Sequence, residues 1–247
     1  MGCIYLIGMG PGNLENMTDY AKLAIEDSDI IMGYKFYIDL IGPLISKKDV
    51  EPTGVEDELE RGEKAIKLAL AGKKVAIVSS GDSAVYGMAG IVFEIMAAHN
   101  YDIGIKVIPG ITAINSAASL LGVPLMNDFC SISLSDRLTP ESTVLKRVKA
   151  AVDGDFVIGF YNPASKKRTQ IIKKAIEILL KYREADTPVG IIKNAYRNGQ
   201  EARLAKLGNI LNESIDMFTI IIIGNSETFA WKNFMITPRN YDTKYKL

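Results

Sequence analysis

The sequence predicts an α/β protein organised as two consecutive domains. Short apolar runs that are typical of buried strands alternate along the chain with longer amphipathic stretches that are typical of helices. Several of the apolar runs are followed by glycine, which favours a turn between a strand and the next helix. This alternation indicates parallel strands covered by helices on both faces of a sheet.

The first half of the chain contains four such apolar runs, of which the first ends at Gly8 and the second at Gly33. Thr18 is placed to cap the first helix, because its side-chain oxygen can accept a hydrogen bond from an amide of the first turn. Gly72 is placed to end the second helix. We therefore predict strands at 4–7, 30–32, 74–79 and 105–108, and helices at 19–26, 56–70, 86–98 and 111–121.

The alternation starts again after Val123 and Pro124. Because a proline disfavours helical backbone in the residue before it, we predict a domain boundary at this point. The predicted domains are 1–123 and 124–247. In the second domain we predict strands at 131–134, 156–161, 189–193 and 218–224, helices at 141–151 and 167–182, and a hairpin strand at 203–210 and its surroundings.

The composition excludes several classes of protein. Lys plus Arg equals Asp plus Glu, 29 against 29, so no basic excess favours nucleic-acid binding. Cys3 and Cys130 form no Cys-x-x-Cys pair, which disfavours a cysteine-based metal site. No signal peptide and no apolar run of about 18 residues is visible, so we expect a soluble, cytoplasmic protein without membrane contact.

Three glycine-containing loops follow predicted strands, at 8–12, 79–83 and 109–113. Glycine allows close approach of a ligand to the backbone, and open α/β sheets bind ligands at the carboxyl ends of their strands. We therefore expect one ligand-binding crevice, although Asp82 and Thr112 also suit plain helix caps. A dinucleotide fingerprint is disfavoured, because Asn13 replaces its third glycine and no acidic residue follows the second strand.

These loops resemble those of the tetrapyrrole methylase family, and the likeness extends over essentially the whole chain. The motifs are Gly-x-Gly-Pro-Gly at 8–12, Gly-Asp-Ser at 81–83 in place of Gly-Asp-Pro, and Pro-Gly-Ile-Thr-Ala at 109–113. The segments at 133–140 and 159–168 resemble the branch of that family that methylates carbon 17 of precorrin-3B or cobalt-factor III and contracts the macrocycle. The resemblance therefore implies an enzyme of cobalamin biosynthesis.

The resemblance also implies a fold, a cofactor and a set of cofactor contacts. The fold is that of the class III methyltransferases, with a mostly parallel sheet in the N-terminal domain and a mixed sheet in the C-terminal one. The cofactor is S-adenosylmethionine, bound between the domains of a homodimer, and cobalt enters only as part of the substrate. The implied cofactor contacts are Pro11, Gly81, Asp82, Val85, Thr112, Ala113, Asn162 and Ala195.

Ring contraction requires proton transfer, for which Asp136, Ser133 and Tyr161 are the candidate catalytic residues. Asp136 has an alternative role, as a partner of Arg137 or a helix cap. The carboxylates of a corrin precursor call for Arg and Lys partners, although a charged cluster is also typical of a solvated surface. The candidate substrate contacts are Arg137, Lys166, Lys167, Arg168 and Arg197.

Three other functions remain open from the sequence. They are a methylase that acts on another ring carbon, a protein that binds a tetrapyrrole without chemistry, and an NAD-dependent oxidoreductase. The sequence also leaves open whether the substrate carries cobalt.

Overall fold

The computed structural model of the chain describes residues 2–54, 56–165 and 169–245. The chain divides into two compact units, Met1–Ala113 (unit 1) and Ile114–Leu247 (unit 2). Each unit contains a five-stranded sheet and helices, so the predicted α/β class is confirmed. No helix of the described residues is both long and apolar enough to cross a membrane.

Unit 1 alternates strands and helices as predicted, with additional short elements after the second strand. In chain order its elements are β1 (Cys3–Gly8), α1 (Asp19–Asp27), β2 (Ile30–Tyr34), α2 (Lys35–Leu40), α3 (Gly42–Ile45), β3 (Asp49–Thr53), α4 (Glu58–Leu70), β4 (Lys74–Ser79), α5 (Ala89–His99) and β5 (Gly104–Ile108). A short 3₁₀ helix spans Leu14–Asn16. The sequence did not predict α2, α3 or β3, whose residues form no long periodic pattern.

The sheet of unit 1 is parallel throughout, with the strand order β3-β2-β4-β1-β5. Gly8 at the end of β1 pairs with Ser79 at the end of β4, and Ile7 pairs with Ile108 at the end of β5. Strands β4, β1 and β5, which are neighbours in the sheet, therefore end level with one another. Their following loops start from the same edge of the sheet.

Both faces of this sheet are buried at its three central strands, β2, β4 and β1. Ile4 and Leu6 of β1 pack in one apolar cluster with side chains of α4 and α5, whereas Tyr5 and Ile7 pack in another with side chains of α1, α2 and α3. Successive side chains of a strand point to opposite faces, which explains why β1 is apolar without a break. Each fully buried aliphatic side chain contributes about 1.5–3 kcal/mol of hydrophobic stabilisation.

Unit 2 begins with a helix and contains two sheets. In chain order its elements are α6 (Ala113–Ser119, the first residue of which belongs to unit 1), β6 (Gly122–Val123), β7 (Phe129–Ser133), α7 (Glu141–Asp153), β8 (Val157–Tyr161), α8 (Gln170–Leu179), β9 (Pro188–Lys193), β10 (Glu201–Lys206), β11 (Thr219–Ile223), β12 (Phe229–Trp231) and β13 (Phe234–Ile236). Short 3₁₀ helices span Leu207–Asn212 and Tyr241–Thr243.

The larger sheet of unit 2 is mixed, as predicted, with the order β10-β9-β11-β8-β7. β7 and β8 are parallel, while β11 is antiparallel to both β8 and β9. Strands β7, β8 and β9 therefore run in the same direction and end at the same edge. The predicted hairpin strand is β10, which pairs antiparallel with β9, and the sequence missed the small sheet β12-β13-β6.

The unit boundary falls about ten residues before the predicted one near Val123 and Pro124. The physical reason is the packing of α6 against glycines of the unit 2 sheet. Ile114 lies against Gly159 of β8, and Leu121 lies against Gly190 of β9, so a Cβ atom at either glycine would require the facing side chain to move. The helix after the third glycine loop therefore belongs to the second unit.

Arg183 follows α8 and joins three segments of unit 2. Its side chain is buried, with one terminal nitrogen donating to the Gly224 carbonyl and the other to the Phe156 carbonyl at 2.5 Å. The Asp155 carboxylate lies 3.9 Å away. Burial lowers the pKa of Arg183, although Asp155 opposes this shift.

Replacing Arg183 by Met should lower the free energy of unfolding by about 2–4 kcal/mol, because the buried Gly224 carbonyl and the partly buried Phe156 carbonyl lose their donors. Urea denaturation measures this loss. The matched control is Arg203→Met, since Arg203 is more exposed and forms surface ion pairs with Glu201 and Glu213. The control should lose less than about 1 kcal/mol, and equal losses in the two variants would contradict the assignment.

Candidate active site

The three glycine loops of unit 1, at 8–12, 79–83 and 109–113, form what we call the glycine-loop cluster. They follow β1, β4 and β5, which are neighbours in the parallel sheet and end level with one another. The loops therefore meet at the carboxyl edge, where open α/β sheets bind ligands. The structure thus brings together the three loops that the sequence singled out.

Paired backbone hydrogen bonds join the first two loops. The Gly10 amide donates to the Gly81 carbonyl at 3.0 Å, and the Gly81 amide donates to the Gly10 carbonyl at 2.7 Å. Both glycines have positive φ, +72° at Gly10 and +68° at Gly81, a conformation that costs glycine little. The turn geometry therefore requires glycine at these two positions.

Close backbone packing joins the third loop to the other two. A Cβ atom on Gly110 would overlap the carbonyl oxygens of Gly81 and Gly8. A Cβ atom on Gly8 would come within 2.6 Å of the Gly110 nitrogen and 2.8 Å of the Gly81 oxygen. Three main chains therefore meet at a point that admits no side chain.

Asp82 ties two loops through both of its carboxylate oxygens. One oxygen accepts the Gly110 amide at 3.0 Å, and the other accepts the Ala84 amide at 2.8 Å. The sequence left open whether Asp82 contacts a ligand or satisfies backbone amides, and the structure shows that it does the second. Each carboxylate oxygen can accept more than one hydrogen bond, so these contacts are compatible with a ligand contact.

Ser83 is the position at which the chain departs from the Gly-Asp-Pro pattern. Its side chain is fully buried, and its hydroxyl donates to the Leu6 carbonyl of β1 at 3.0 Å. The departure is therefore accommodated, because a buried hydroxyl that has a hydrogen-bond partner carries no large penalty.

The remaining candidates of unit 1 lie around this cluster. Pro11 is buried, Thr112 and Ala113 are half-buried, and Val85 is 36% exposed. Tyr86 has a φ of +55°, which is uncommon for a bulky residue and is concentrated at functional sites. Sequence reasoning placed Tyr86 inside a helix and missed this turn, which delays the start of α5 to Ala89.

Unit 2 presents its candidates at the edge where β7, β8 and β9 end. Ser133 ends β7 and lies opposite Tyr161, which ends β8. The Ser133 hydroxyl oxygen accepts hydrogen bonds from the Asn162 side chain at 3.0 Å and from the Ser135 amide at 3.3 Å. The Tyr161 hydroxyl oxygen accepts the Ile114 amide at 2.9 Å. The structure therefore groups Ser133, Tyr161 and Asn162 at adjacent strand ends.

Ala195 lies in a tightly folded loop after β9, at the same edge. Its neighbours Asn194 and Tyr196 have positive φ, 50° and 58°. The Tyr196 amide donates to the Gln200 side chain at 2.7 Å, and its hydroxyl is 2.8 Å from that of Ser119. Asn194, directly after the apolar run of β9, is the feature of the sequence that marks this turn. Asn adopts left-handed backbone more readily than most residues do.

Three of the other candidate residues lie in loops that follow strands of unit 2. Asp136 and Arg137 follow β7 in an exposed loop, and Arg197 is half-buried in the loop after β9. The candidate substrate contacts Lys166, Lys167 and Arg168 lie outside the described residues.

An ion pair that sequence reasoning missed lies at the same edge of unit 2. Lys193 at the end of β9 is 2.7 Å from the Asp216 carboxylate before β11. The hydrogen bond that Lys193 donates to Asp216 raises the pKa of Lys193. Burial alone would raise the pKa of Asp216, but the hydrogen bonds from Lys193, the Phe218 amide and Thr219 lower it. The pair is therefore fixed in its charged form.

These features define an α/β protein in which glycine loops meet at the carboxyl edge of a parallel sheet, and comparison with known proteins gives its family. Residues 3–211 match the family of Tetrapyrrole (Corrin/Porphyrin) Methylases. The chain belongs to this family, and the recognition made from the sequence is confirmed.

Three relatives specify the similarity. A cobalt-factor III methyltransferase of Priestia megaterium is 49% identical over 100% of this chain, which spans 46% of that protein. A probable cobalt-factor III C(17)-methyltransferase of Salmonella typhimurium is 46% identical over 96% of this chain and 98% of that protein. The solved structure of the methyltransferase CobJ has a TM-score of 0.89 and 33% identity over 96% of this chain and 100% of that one.

Replacing Gly110 by Ala should disrupt the glycine-loop cluster, because the new methyl group would overlap two backbone carbonyl oxygens. We expect a loss of roughly 1–3 kcal/mol in unfolding free energy and at least about tenfold weaker binding of S-adenosylhomocysteine in calorimetry. Gly90→Ala is the control, since no atom lies within 4 Å of the position of its Cβ. Wild-type affinity in Gly110→Ala would show that the cluster does not bind the cofactor.

Proposed function

We propose that the chain transfers a methyl group from S-adenosylmethionine to carbon 17 of cobalt-factor III or precorrin-3B, in cobalamin biosynthesis. The macrocycle contracts in the same reaction, giving cobalt-precorrin-4 or precorrin-4. The observation that carries this proposal is the nearly full-length match to the Salmonella relative. That protein and the Priestia relative are both named for cobalt-factor III, which favours the cobalt-containing precursor.

The glycine-loop cluster suits a cofactor that is held mainly by backbone groups. Gly8 and Gly81 are buried and Gly110 is half-buried in close backbone packing, while the nearby residues Val85 and Ile111 are 36% and 37% exposed. This combination fits an adenosine with an apolar ring face and polar edges. The cofactor contacts that we propose are Pro11, Gly81, Asp82, Val85, Thr112 and Ala113 in unit 1, and Asn162 and Ala195 in unit 2.

S-adenosylmethionine supplies a methyl group that the sulfonium already activates for displacement. The protein must then hold the accepting carbon in line with that methyl, at roughly 3–3.5 Å. The hydrogen bonds of Gly10 with Gly81 and of Asp82 with Gly110 fix the backbone of the proposed cofactor contacts. Such a preformed site loses little entropy when the reactants are positioned.

Ring contraction requires groups that move protons while the carbon skeleton rearranges. We assign proton transfer to Asp136, because its carboxylate is exposed just beyond β7. Ser133 lies at the end of β7, and its hydroxyl oxygen accepts a hydrogen bond from the Asn162 side-chain amide. Ser133 therefore also orients Asn162. Tyr161 is the third candidate, and its bond to the Ile114 amide fixes its ring.

We propose that cationic side chains of unit 2 bind the acetate and propionate groups of the substrate. Arg137 and Arg197 follow β7 and β9 at the edge that carries Ser133. Guanidinium groups pair with carboxylates through two parallel hydrogen bonds. The sequence alone supports the same role for Lys166, Lys167 and Arg168.

We also propose that the enzyme is a cytoplasmic homodimer. The hairpin of β12 and β13 exposes Phe229, Trp231 and Phe234, which are 47%, 51% and 45% accessible. Exposed aromatic side chains grouped in this way are typical of protein interfaces. A second copy of the chain is the partner that the resemblance implies.

The function is tested by incubating the protein with methyl-labelled S-adenosylmethionine and either cobalt-factor III or its metal-free counterpart. Mass spectrometry should find one added labelled methyl group, located at carbon 17 by NMR. Label at another ring carbon, or tetrapyrrole binding without transfer, would contradict the proposal. Light scattering of the same preparation should give twice the chain mass of 27.1 kDa.

Replacing Asp136 by Asn should slow formation of the contracted product by about a hundredfold or more, because the amide cannot exchange a proton at neutral pH. Binding of S-adenosylhomocysteine should be unchanged. Asp128→Asn is the matched control, since Asp128 is also exposed but precedes β7, at its opposite end. Normal product formation by Asp136→Asn would exclude Asp136 from proton transfer.

A further inference from the structure

An open pocket of about 770 Å³ lies in unit 1, outside the glycine-loop cluster. It is formed where β2 and β3 end and is flanked by α2 and α4. The rings of Tyr34 and Phe36 line it, together with Thr53, Gly54 and Arg61. Its other charged lining residues are Lys35, Lys64, Asp39, Asp57 and Glu60. β2 and β3 belong to the same parallel sheet as the three glycine loops, so the pocket opens at the same carboxyl edge.

Arg61 is a buried cation in the wall of this pocket, only 4% exposed. Its Nε donates to the Thr53 hydroxyl at 2.5 Å, and its terminal nitrogens donate to the Gly54 carbonyl at 2.8 Å and to the Met88 sulfur at 3.2 Å. All three acceptors are neutral. In the described part of the chain no carboxylate forms an ion pair with Arg61, and Asp57 and Glu58 act on it only at longer range.

The other cations of the pocket have acidic partners. Lys35 is 3.2 Å from Asp39, and Lys64 is 2.6 Å from Glu51. Arg61 therefore differs from them in combining burial with neutral contacts. Burial disfavours the charged guanidinium and so lowers the pKa of Arg61. A buried charge without a counter-ion is costly, and a ligand carboxylate would supply that counter-ion.

The strand order sets the distance between this pocket and the glycine-loop cluster. Neighbouring strands are about 4.8 Å apart, and the order is β3-β2-β4-β1. The ends of β2 and β3 therefore lie roughly 10–15 Å from the end of β1 along the sheet edge. A tetrapyrrole with extended carboxylate arms can span such a distance.

We propose that this pocket binds an acetate or propionate arm of the tetrapyrrole, with Arg61 as the partner of its carboxylate. The assignment rests on the proposed function for the identity of the ligand. The planar guanidinium can donate two hydrogen bonds to one carboxylate, and the rings of Tyr34 and Phe36 provide an apolar wall for the methylene groups or the adjoining pyrrole. Arg61 is thus a positioning residue for the substrate and makes no contact with the transferred methyl.

The test compares direct binding of cobalt-factor III, followed by its absorbance, with calorimetric binding of S-adenosylhomocysteine. Arg61→Gln should weaken cobalt-factor III binding by about ten- to a hundredfold and leave S-adenosylhomocysteine binding within about twofold. Arg61→Lys, which keeps the charge but loses the planar fork, should give an intermediate loss.

A second pair of variants avoids any dependence on the folding of the Arg61 variants. Lys35 is exposed at the pocket, and Lys35→Glu should weaken cobalt-factor III binding about three- to tenfold through repulsion between negative charges. Lys149→Glu is its control, because Lys149 likewise forms an i,i+4 ion pair with an aspartate, Asp153 of α7. The control should bind as wild type.

The outcomes separate this assignment from the proposed function. Unchanged cobalt-factor III binding in folded Arg61→Gln, or equal binding by Lys35→Glu and Lys149→Glu, overturns the pocket assignment while methyl transfer by the wild type stands. Wild-type binding without methyl transfer overturns the proposed reaction, and the same comparisons still decide the role of the pocket. A wild-type protein that binds no tetrapyrrole overturns both.

Discussion

The meeting of three main chains at Gly8, Gly81 and Gly110 is the constraint on which the organisation of unit 1 depends. Parallel strands that end level deliver their loops to the same place, and side chains at these positions would force the loops apart. The absence of side chains lets the three main chains approach one another directly. The Asp82 carboxylate then holds the arrangement by accepting amides from two loops.

Unit 2 uses glycine for a different purpose. Gly159 and Gly190 lie inside strands rather than after them, and they receive Ile114 and Leu121 on one face of the sheet. Glycine inside a strand weakens it intrinsically, and such a glycine often marks a close approach of another element. Here the close approach places the Ile114 amide within hydrogen-bond distance of the Tyr161 hydroxyl. The packing of α6 on the sheet therefore also positions a candidate catalytic side chain.

The sequence predicted the longer elements well, because burial of one or both faces of a strand or helix leaves a regular spacing of apolar residues. β4 has the predicted bounds of 74–79, and Thr18 caps α1 by accepting the Ala21 amide. The short elements α2, α3 and β3, and the small sheet β12-β13-β6, were missed because two to six residues carry no readable period.

The candidate site was predictable to the extent that glycine and strand ends mark it. Glycines after predicted strands marked the three loops, the family resemblance then implied which of their residues contact the cofactor, and the topology explained why the loops meet. The turn at Tyr86, the ion pair of Lys193 with Asp216 and the burial of Arg61 were not predictable. Each depends on a contact between residues distant in sequence or on a backbone conformation that its residue type disfavours.

The Ser83 hydroxyl has a consequence for motion. It reaches across from the β4 loop to a carbonyl in the interior of β1, so the loop is anchored to a strand other than its own. Local opening of this segment must break a fully buried hydrogen bond together with the Gly10–Gly81 pair, which places it among the more stable regions of a native protein. A ligand that arrives here meets a rigid wall, and any adjustment to its shape has to come from other parts of the chain.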